Sequence, residues 1–253
     1  MQRTVAETPR GAESSALSAQ ACGPGKRPGA DALKLIFAPA RARQGFRHLI
    51  LGDSGTGKTV ALRAIVAAAV ALLGRALIID DGDPWKAQFP GQCFVDANEF
   101  RAALSGGLLT STSVVFRGEP WRRIKVDVRD CGELAWSLVC NDRKPLLVVV
   151  DEFVRCLDKT VWPPWREILC EGRKVQLSLV AALQEPQALY SAAKNQLSSV
   201  QVHRCGPTVT NYLEHVWYLS PECAQTIRML DIGEFVIVQP ATPWNGVVYR
   251  FPL

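Results

Sequence analysis

The stretch His48-Leu49-Ile50-Leu51-Gly52-Asp53-Ser54-Gly55-Thr56-Gly57-Lys58-Thr59 reads as a short apolar strand, a glycine-rich turn and the start of a helix. Residues 52–59 match G-x-x-x-x-G-K-[ST] in full. Glycines at these positions permit positive φ and let the backbone approach phosphate oxygens closely. Because the turn opens a helix, its N–H groups and the helix N-terminus converge on the β- and γ-phosphates of a nucleotide. Lys58 then supplies a point charge to those oxygens, and the Thr59 hydroxyl is a Mg2+ ligand. The stretch predicts that ATP and Mg2+ bind through Gly52, Asp53, Ser54, Gly55, Thr56, Gly57, Lys58 and Thr59.

Outward from this turn, apolar runs alternate with helical patterns. Lys58 to Leu73 is an alanine- and leucine-rich helix, and Ala76 to Ile79 is a strand closed by Asp80, Asp81 and Gly82. Cys93 to Val95 and Ser113 to Arg117 read as short strands, with helices across Asn98 to Leu104 and Gly132 to Cys140. Leu146 to Val150 is a wholly apolar strand, and Gln176 to Leu183 is another, after a helical stretch ending near Glu171. Strands that are apolar on both faces and separated by helices imply a parallel sheet covered on both sides. The expected fold class is therefore α/β: a P-loop NTPase with a mainly parallel central sheet and helices on both faces. Glu234 to Gln239 and Gly246 to Phe251 flank a Pro-containing turn, which predicts a C-terminal antiparallel hairpin at the sheet edge.

The apolar strand Leu146 to Val150 ends in Asp151 and Glu152. A buried central strand delivers its C-terminal end to the edge where open α/β sheets bind ligands, so the pair is expected beside the phosphate loop. Asp151 is the expected Mg2+ ligand, directly or through water. Glu152 is the candidate general base for an attacking water. Together with the phosphate loop, the pair points to ATP hydrolysis rather than phosphoryl transfer to a small molecule.

Composition narrows the class further. A 253-residue chain with 48% hydrophobic residues buries one good core, which fits one nucleotide-binding domain and excludes a disordered chain. The longest apolar run, Ala64 to Leu73, is too short to cross a bilayer of about 30 Å. With no basic-then-apolar leader, the expected location is cytoplasmic. Eight scattered cysteines without CxxC or histidine spacing argue against a zinc site and for reduced, buried thiols. Residues 1–47 hold eight basic side chains against three acidic ones, an excess that matches the net charge of +5 of the whole chain. Residues 1–44 therefore read as a flexible basic leader and 45–253 as the ATPase domain. The leader suits contact with phosphate backbones or acidic lipid, and equally a solubilising role.

The segment Gly172-Arg173-Lys174-Val175-Gln176-Leu177-Ser178-Leu179-Val180-Ala181-Ala182-Leu183-Gln184-Glu185-Pro186 resembles the HerA/FtsK superfamily of DNA-pumping ATPases. In that pattern an Arg-bearing helix end leads to a strand that finishes in Gln, a polar residue and Pro. Ile79 to Gly82 and Gly233 to Ile237 share the resemblance, which spans roughly residues 45–240. It implies that Gln184 senses the γ-phosphate or the lytic water, a role suited to an uncharged donor and acceptor at a strand end. It also implies an arginine finger offered to a neighbouring subunit's ATP. Arg204, after the strand-like Val200 to His203, is the first match and Arg173 the second; the arginine that FtsK translocases carry near Ser199 has no counterpart here.

The resemblance further implies ATP hydrolysis coupled to translocation of double-stranded DNA by a homo-oligomeric ring, with a hexamer expected. The sequence shows none of the added β-barrel of HerA, the membrane spans and winged helix of FtsK, or the transmembrane helix of Zot-like proteins. The expectation narrows to a viral genome-packaging ATPase like those of tailless phages with an internal membrane, with a capsid or membrane portal protein as partner. The alternatives are a HerA-like or conjugation-type translocase of a cell, or a regulatory NTPase switch that moves no DNA. Trp121, Arg122, Arg123 and Lys125 fit either a DNA-backbone contact or a solvated basic face. Trp162-Pro163-Pro164-Trp165 predicts a helix start with the prolines in the first turn and the tryptophans packed inward.

Overall fold

The computed structural model describes residues 26–79, 93–94, 98–99, 102–103, 114–116, 124–151, 163–189, 194–239 and 244–251. The chain begins with β1 (Lys26–Pro28), α1 (Gly29–Ile36), α2 (Ala38–Arg41), β2 (Arg47–Leu51), α3 (Lys58–Leu73) and β3 (Ala76–Ile79). It continues with β4 (Cys93–Phe94), β5 (Val114–Phe116), α4 (Ile124–Asp142), β6 (Leu146–Val150), α5 (Pro163–Cys170) and β7 (Leu177–Leu183). The last elements are β8 (Ser199–Val202), α6 (Pro207–Trp217), α7 (Pro221–Arg228), β9 (Glu234–Val238) and β10 (Val248–Arg250). Among the described residues no helix is long and apolar enough to cross a membrane.

The ten strands of the described residues form one sheet in the order β1-β10-β9-β8-β2-β7-β6-β3-β5-β4. From β8 to β4 every pairing is parallel. β9 runs antiparallel to both β8 and β10. The strands β2, β3, β6 and β7 are buried from end to end, as the apolar runs on both faces require. Alternation sorts their side chains: Leu146, Val148 and Val150 pack with α4 to α7, whereas Leu147 and Val149 pack with α1 and α3. The predicted α/β fold with helices on both faces is the fold observed.

Three features differ from the sequence reading. First, β2 and β6 are not neighbours; β7 lies between them, because parallel strands joined by long crossovers need not pair in chain order. Second, residues 26–44, placed in the leader by composition, are folded. β1 pairs in parallel with β10, outside the predicted hairpin, and Ala32, Ile36 and Phe37 join the core under α3. Lys26 supplies the reason: it donates at 2.5 Å to the buried carboxylate of Glu234. Third, Pro207–Trp217 and Pro221–Arg228 form a helical pair that the sequence reading did not anticipate. A proline opens each helix, and Ser220 Oγ caps α7 by accepting from Cys223 N–H at 3.3 Å.

The strand that carries Asp151 is anchored from its far end. Arg75, almost fully buried, pairs with Asp142 at 2.6 Å and donates to the Lys144 and Pro145 carbonyls. The α4–β6 turn is thereby locked to the start of β3. Trp165 packs fully buried between α4 and α5, as predicted; Trp162 lies outside the described residues. Phe100, Arg101 and Leu104, and Trp121 to Arg123, also lie outside them.

Removing residues 1–44 should strip Ile36 and Phe37 from the core and leave Glu234 without Lys26. A loss on the order of 5 kcal/mol, or insolubility, is expected from the apolar burial alone. Chemical denaturation of a chain starting at residue 45 checks this; full-length stability would contradict a folded role for β1 and α1.

Candidate nucleotide-binding site

β2 ends at Leu51 and α3 begins at Lys58, so residues 52–57 turn the chain from a buried strand into a helix N-terminus. Gly55 (φ 74°) and Gly57 (φ 101°) take left-handed backbone that favours glycine. A Cβ on Gly57 would lie 3.1 Å from the Gly233 backbone, so glycine is what lets these two segments close. A Cβ on Gly55 would meet nothing within 4 Å, which leaves the outer face of the loop open. Asp53, Ser54 and Gly55 are exposed there, while Thr56 and Lys58 are buried beneath.

Three hydrogen bonds shape the loop from inside, and two more fasten it to its neighbours. Thr56 Oγ1 donates to Asp53 O, and Lys58 Nζ donates to Gly52 O and Asp53 O, each at 2.8 Å. Asp53 N–H donates to Arg204 O at 3.0 Å, which fixes the loop to the end of β8. Gly233 N–H donates to Thr56 O at 3.1 Å, which fixes it to the segment before β9. Thr59 sits half-buried on the first turn of α3.

Strand register places the other expected residues. Leu51 pairs with Leu183 and Val202, so Gly52, Gln184 and His203 come level. Val150 pairs with Ala181, so Asp151 comes level with Ala182, two residues or about 7 Å short of Gln184. Gln184 is exposed and stands between the phosphate loop and the strand of Asp151. Asp151 is half-buried, its N–H bonded to Ile79 O at 3.1 Å. Asp151 is therefore two strands from β2, not beside it. Glu152, Asp80, Asp81 and Gly82 lie outside the described residues. The Arg204 side chain is exposed on the β8 side of the loop. Arg173 precedes β7 at the opposite edge of the sheet, where its Nε donates to Gln44 Oε1 at 2.8 Å.

Sequence reasoning passed over a buried polar row behind the loop. Ser199, Gln201 and His203 alternate with Val200 and Val202 along β8, and His48 faces them from β2. The period-two pattern Ser-Val-Gln-Val-His was the available signal, since a strand buried on both faces should be apolar throughout. Burial pushes the His48 imidazole down to about 3. Burial, then the Lys58 ammonium, pushes His203 down to about 4, and the backbone of Thr56 and Glu234 offsets part of that. Burial likewise pushes the Cys205 thiol, behind the loop, up to about 12. Cys131 and Cys223 are also buried.

A parallel sheet with a G-x-x-x-x-G-K-T turn between strand and helix, and further strand ends converging on that turn, is a P-loop NTPase fold. Solved structures share it. The genome packaging NTPase B204 of Sulfolobus turreted icosahedral virus 2, in complex with AMPPCP, aligns with TM-score 0.62 and 16% identity over 83% of this chain and 98% of that one. VirB4 of Thermoanaerobacter pseudethanolicus aligns with TM-score 0.62 and 13% identity over 78% and 87%. The bacterial conjugative coupling protein TrwB aligns with TM-score 0.58 and 12% identity over 90% and 92%. At these identities the likeness is one of fold, and it is the P-loop NTPase fold that the sequence leads one to expect. No family model and no curated protein sequence matches the chain.

The two histidines make stability depend on pH. Both are held well below the ordinary value of 6.5, so between 6.5 and about 4 the unfolded chain binds protons that the folded chain does not. Their contribution is complete above pH 6.5, falls with pH across that window and levels off below about 3. The denaturation midpoint should therefore drop from pH 7 to pH 4, and less steeply in His48→Gln. An equal slope in both proteins would contradict the assignment.

Proposed function

We propose that this chain is an ATP-hydrolysing motor that translocates double-stranded DNA, and within that class a viral genome-packaging ATPase acting in the cytoplasm. The observation that carries the reading is the position of β7. It lies between the phosphate-loop strand and the Asp151 strand, so its terminal Gln184 stands between the phosphate loop and the strand that ends at Asp151. The likeness to the packaging NTPase B204, which this chain covers over 98% of its length, supports packaging. The likeness to the conjugative coupling protein TrwB, at TM-score 0.58, supports conjugation-type transport as the second reading.

The residues fit the nucleotide and its metal. The open face over Gly55 gives room for phosphate, with the N-terminus of α3 and Lys58 beneath it. Lys58 Nζ, already bonded to loop carbonyls, turns its charge to the β/γ oxygens. The Thr59 hydroxyl and the Asp151 carboxylate hold Mg2+, which, when bound, neutralises charge on the β- and γ-phosphates. Glu152 takes the proton of the attacking water, and Gln184 orients that water by donating and accepting hydrogen bonds. Arg204 is the finger offered to a neighbour's ATP in a hexameric ring. DNA passes through the ring toward a capsid or membrane portal partner.

ATP turnover with and without double-stranded DNA, together with the oligomeric state from light scattering, tests the motor. Stimulation by DNA and a ring are expected; an unstimulated monomer at every concentration would sink the proposal. Lys58→Ala should weaken nucleotide binding. Glu152→Gln should bind ATP normally and lose roughly 10²–10⁴-fold in kcat. Arg204→Ala should bind ATP and lose turnover, and unchanged turnover would move the finger elsewhere.

A further inference from the structure

The polar row behind the loop forms one directed chain of hydrogen bonds. Ser199 Oγ lies 2.8 Å from His48 Nδ1, and His48 Nε2 lies 3.4 Å from Gln201 Oε1. Gln201 Nε2 lies 2.8 Å from His203 Nε2. An amide carbonyl only accepts and an amide nitrogen only donates, so the protons are assigned throughout. His48 donates from Nε2 and accepts the Ser199 hydroxyl proton at Nδ1. His203 accepts at Nε2 and carries its own proton on Nδ1.

All four side chains are 0–1% exposed, in a position where apolar residues would suffice for a core. The chain ends on the phosphate loop. A Cβ on Gly52 would come within 2.7 Å of His203 Cβ, and one on Gly57 would lie 4.0 Å from His203 Cε1. His203 N–H bonds Leu51 O at 2.8 Å, the next residue's carbonyl holds Asp53, and the ring packs 5.4 Å from Phe235. The backbones of Thr56 and Glu234 hydrogen-bond the ring, so the imidazole is tied to the loop itself and to the start of β9.

We propose that His203 is a positioning residue for the phosphate loop. Its imidazole, held in one tautomer and orientation by Gln201 and His48, braces residues 52–57 from behind and sets where Lys58 delivers its charge. The inference rests on the nucleotide-binding reading of that loop. The ionisable groups that bear on the imidazole are Lys58 on α3 and His48 on β2, and Glu234 meets it through its backbone. Of these, Lys58 is the group that a charged imidazole would oppose.

Affinity for a fluorescent ATP analogue and steady-state turnover should be measured for the parent, Lys58→Ala, His203→Leu, His203→Gln and Gln201→Glu, with thermal melts at pH 8 to confirm folding. His203→Leu removes the acceptor that Gln201 needs, and a loss on the order of 10–100-fold in kcat/KM is expected. His203→Gln restores an acceptor near the Nε2 position and should recover part of that loss. Gln201→Glu sets a carboxylate between two imidazoles and raises their pKa values. It should therefore create a fall in nucleotide affinity as pH drops from 8 to 5, absent from the parent. A flat profile in Gln201→Glu, or parental kinetics in His203→Leu, would overturn the positioning role. If Lys58→Ala bound the analogue like the parent, the nucleotide reading itself would fail instead. Should His203→Leu not fold, the pH profile of Gln201→Glu decides alone.

Discussion

Two backbone hydrogen bonds fasten the phosphate loop to its own sheet, Asp53 N–H to Arg204 O and Gly233 N–H to Thr56 O. Both lie on the β8–β9 side. The loop is therefore braced from one flank and open on the other, where Gln184 and Asp151 end their strands. This asymmetry follows from the sheet. Parallel register brings the C-terminal ends of β8, β2, β7 and β6 to one edge, and a shift of one residue along any strand would displace its terminal side chain by about 3.3 Å.

The braced flank is costly to build, because it buries His48, Gln201, His203 and Glu234. Each is offset by a partner. The histidines and the amide satisfy one another across β2 and β8, and Glu234 is met by Lys26 and, at 4.0 Å, by Arg250. Lys26 stands on β1, so the outermost strand contributes more than edge pairing. It brings the cation that lets an acid sit beside the segment that closes on Gly57. The N-terminal strand and the phosphate loop are thus linked through Glu234, although they lie at opposite ends of the order β1-β10-β9-β8-β2.

Local pattern made much of this legible. Lys58–Leu73, Ala76–Ile79 and Leu146–Val150 have the bounds read from their periodicity, because propensity, burial and turn residues all agree there. The loop glycines with positive φ were legible for the same reason. What was not legible depends on contacts distant in sequence. β1 is a strand only because β10 offers it a partner more than 200 residues away; its own Gly/Pro-rich, basic surroundings resemble a linker. The insertion of β7 between β2 and β6 is likewise a property of crossovers, which the sequence of either strand does not encode. The polar column on β8 was visible as an alternation, but its meaning required knowing that His48 lies opposite.

The asymmetry of the loop also bears on Arg204. Its backbone is held by Asp53, so its side chain must start from the braced flank, on the side of β2 away from β7 and β6. A cation there is separated from the Asp151 strand by β2 and β7, and in the proposed mechanism the γ-phosphate faces that strand. Arg204 is thus badly placed to reach the γ-phosphate of its own subunit. In a closed ring with head-to-tail interfaces, each subunit turns one flank to one neighbour and the opposite flank to the next. Asp151 and Arg204 lie on opposite sides of one loop, which is the arrangement that the proposed ring needs if the Asp151 strand serves its own nucleotide and the arginine serves the adjacent one.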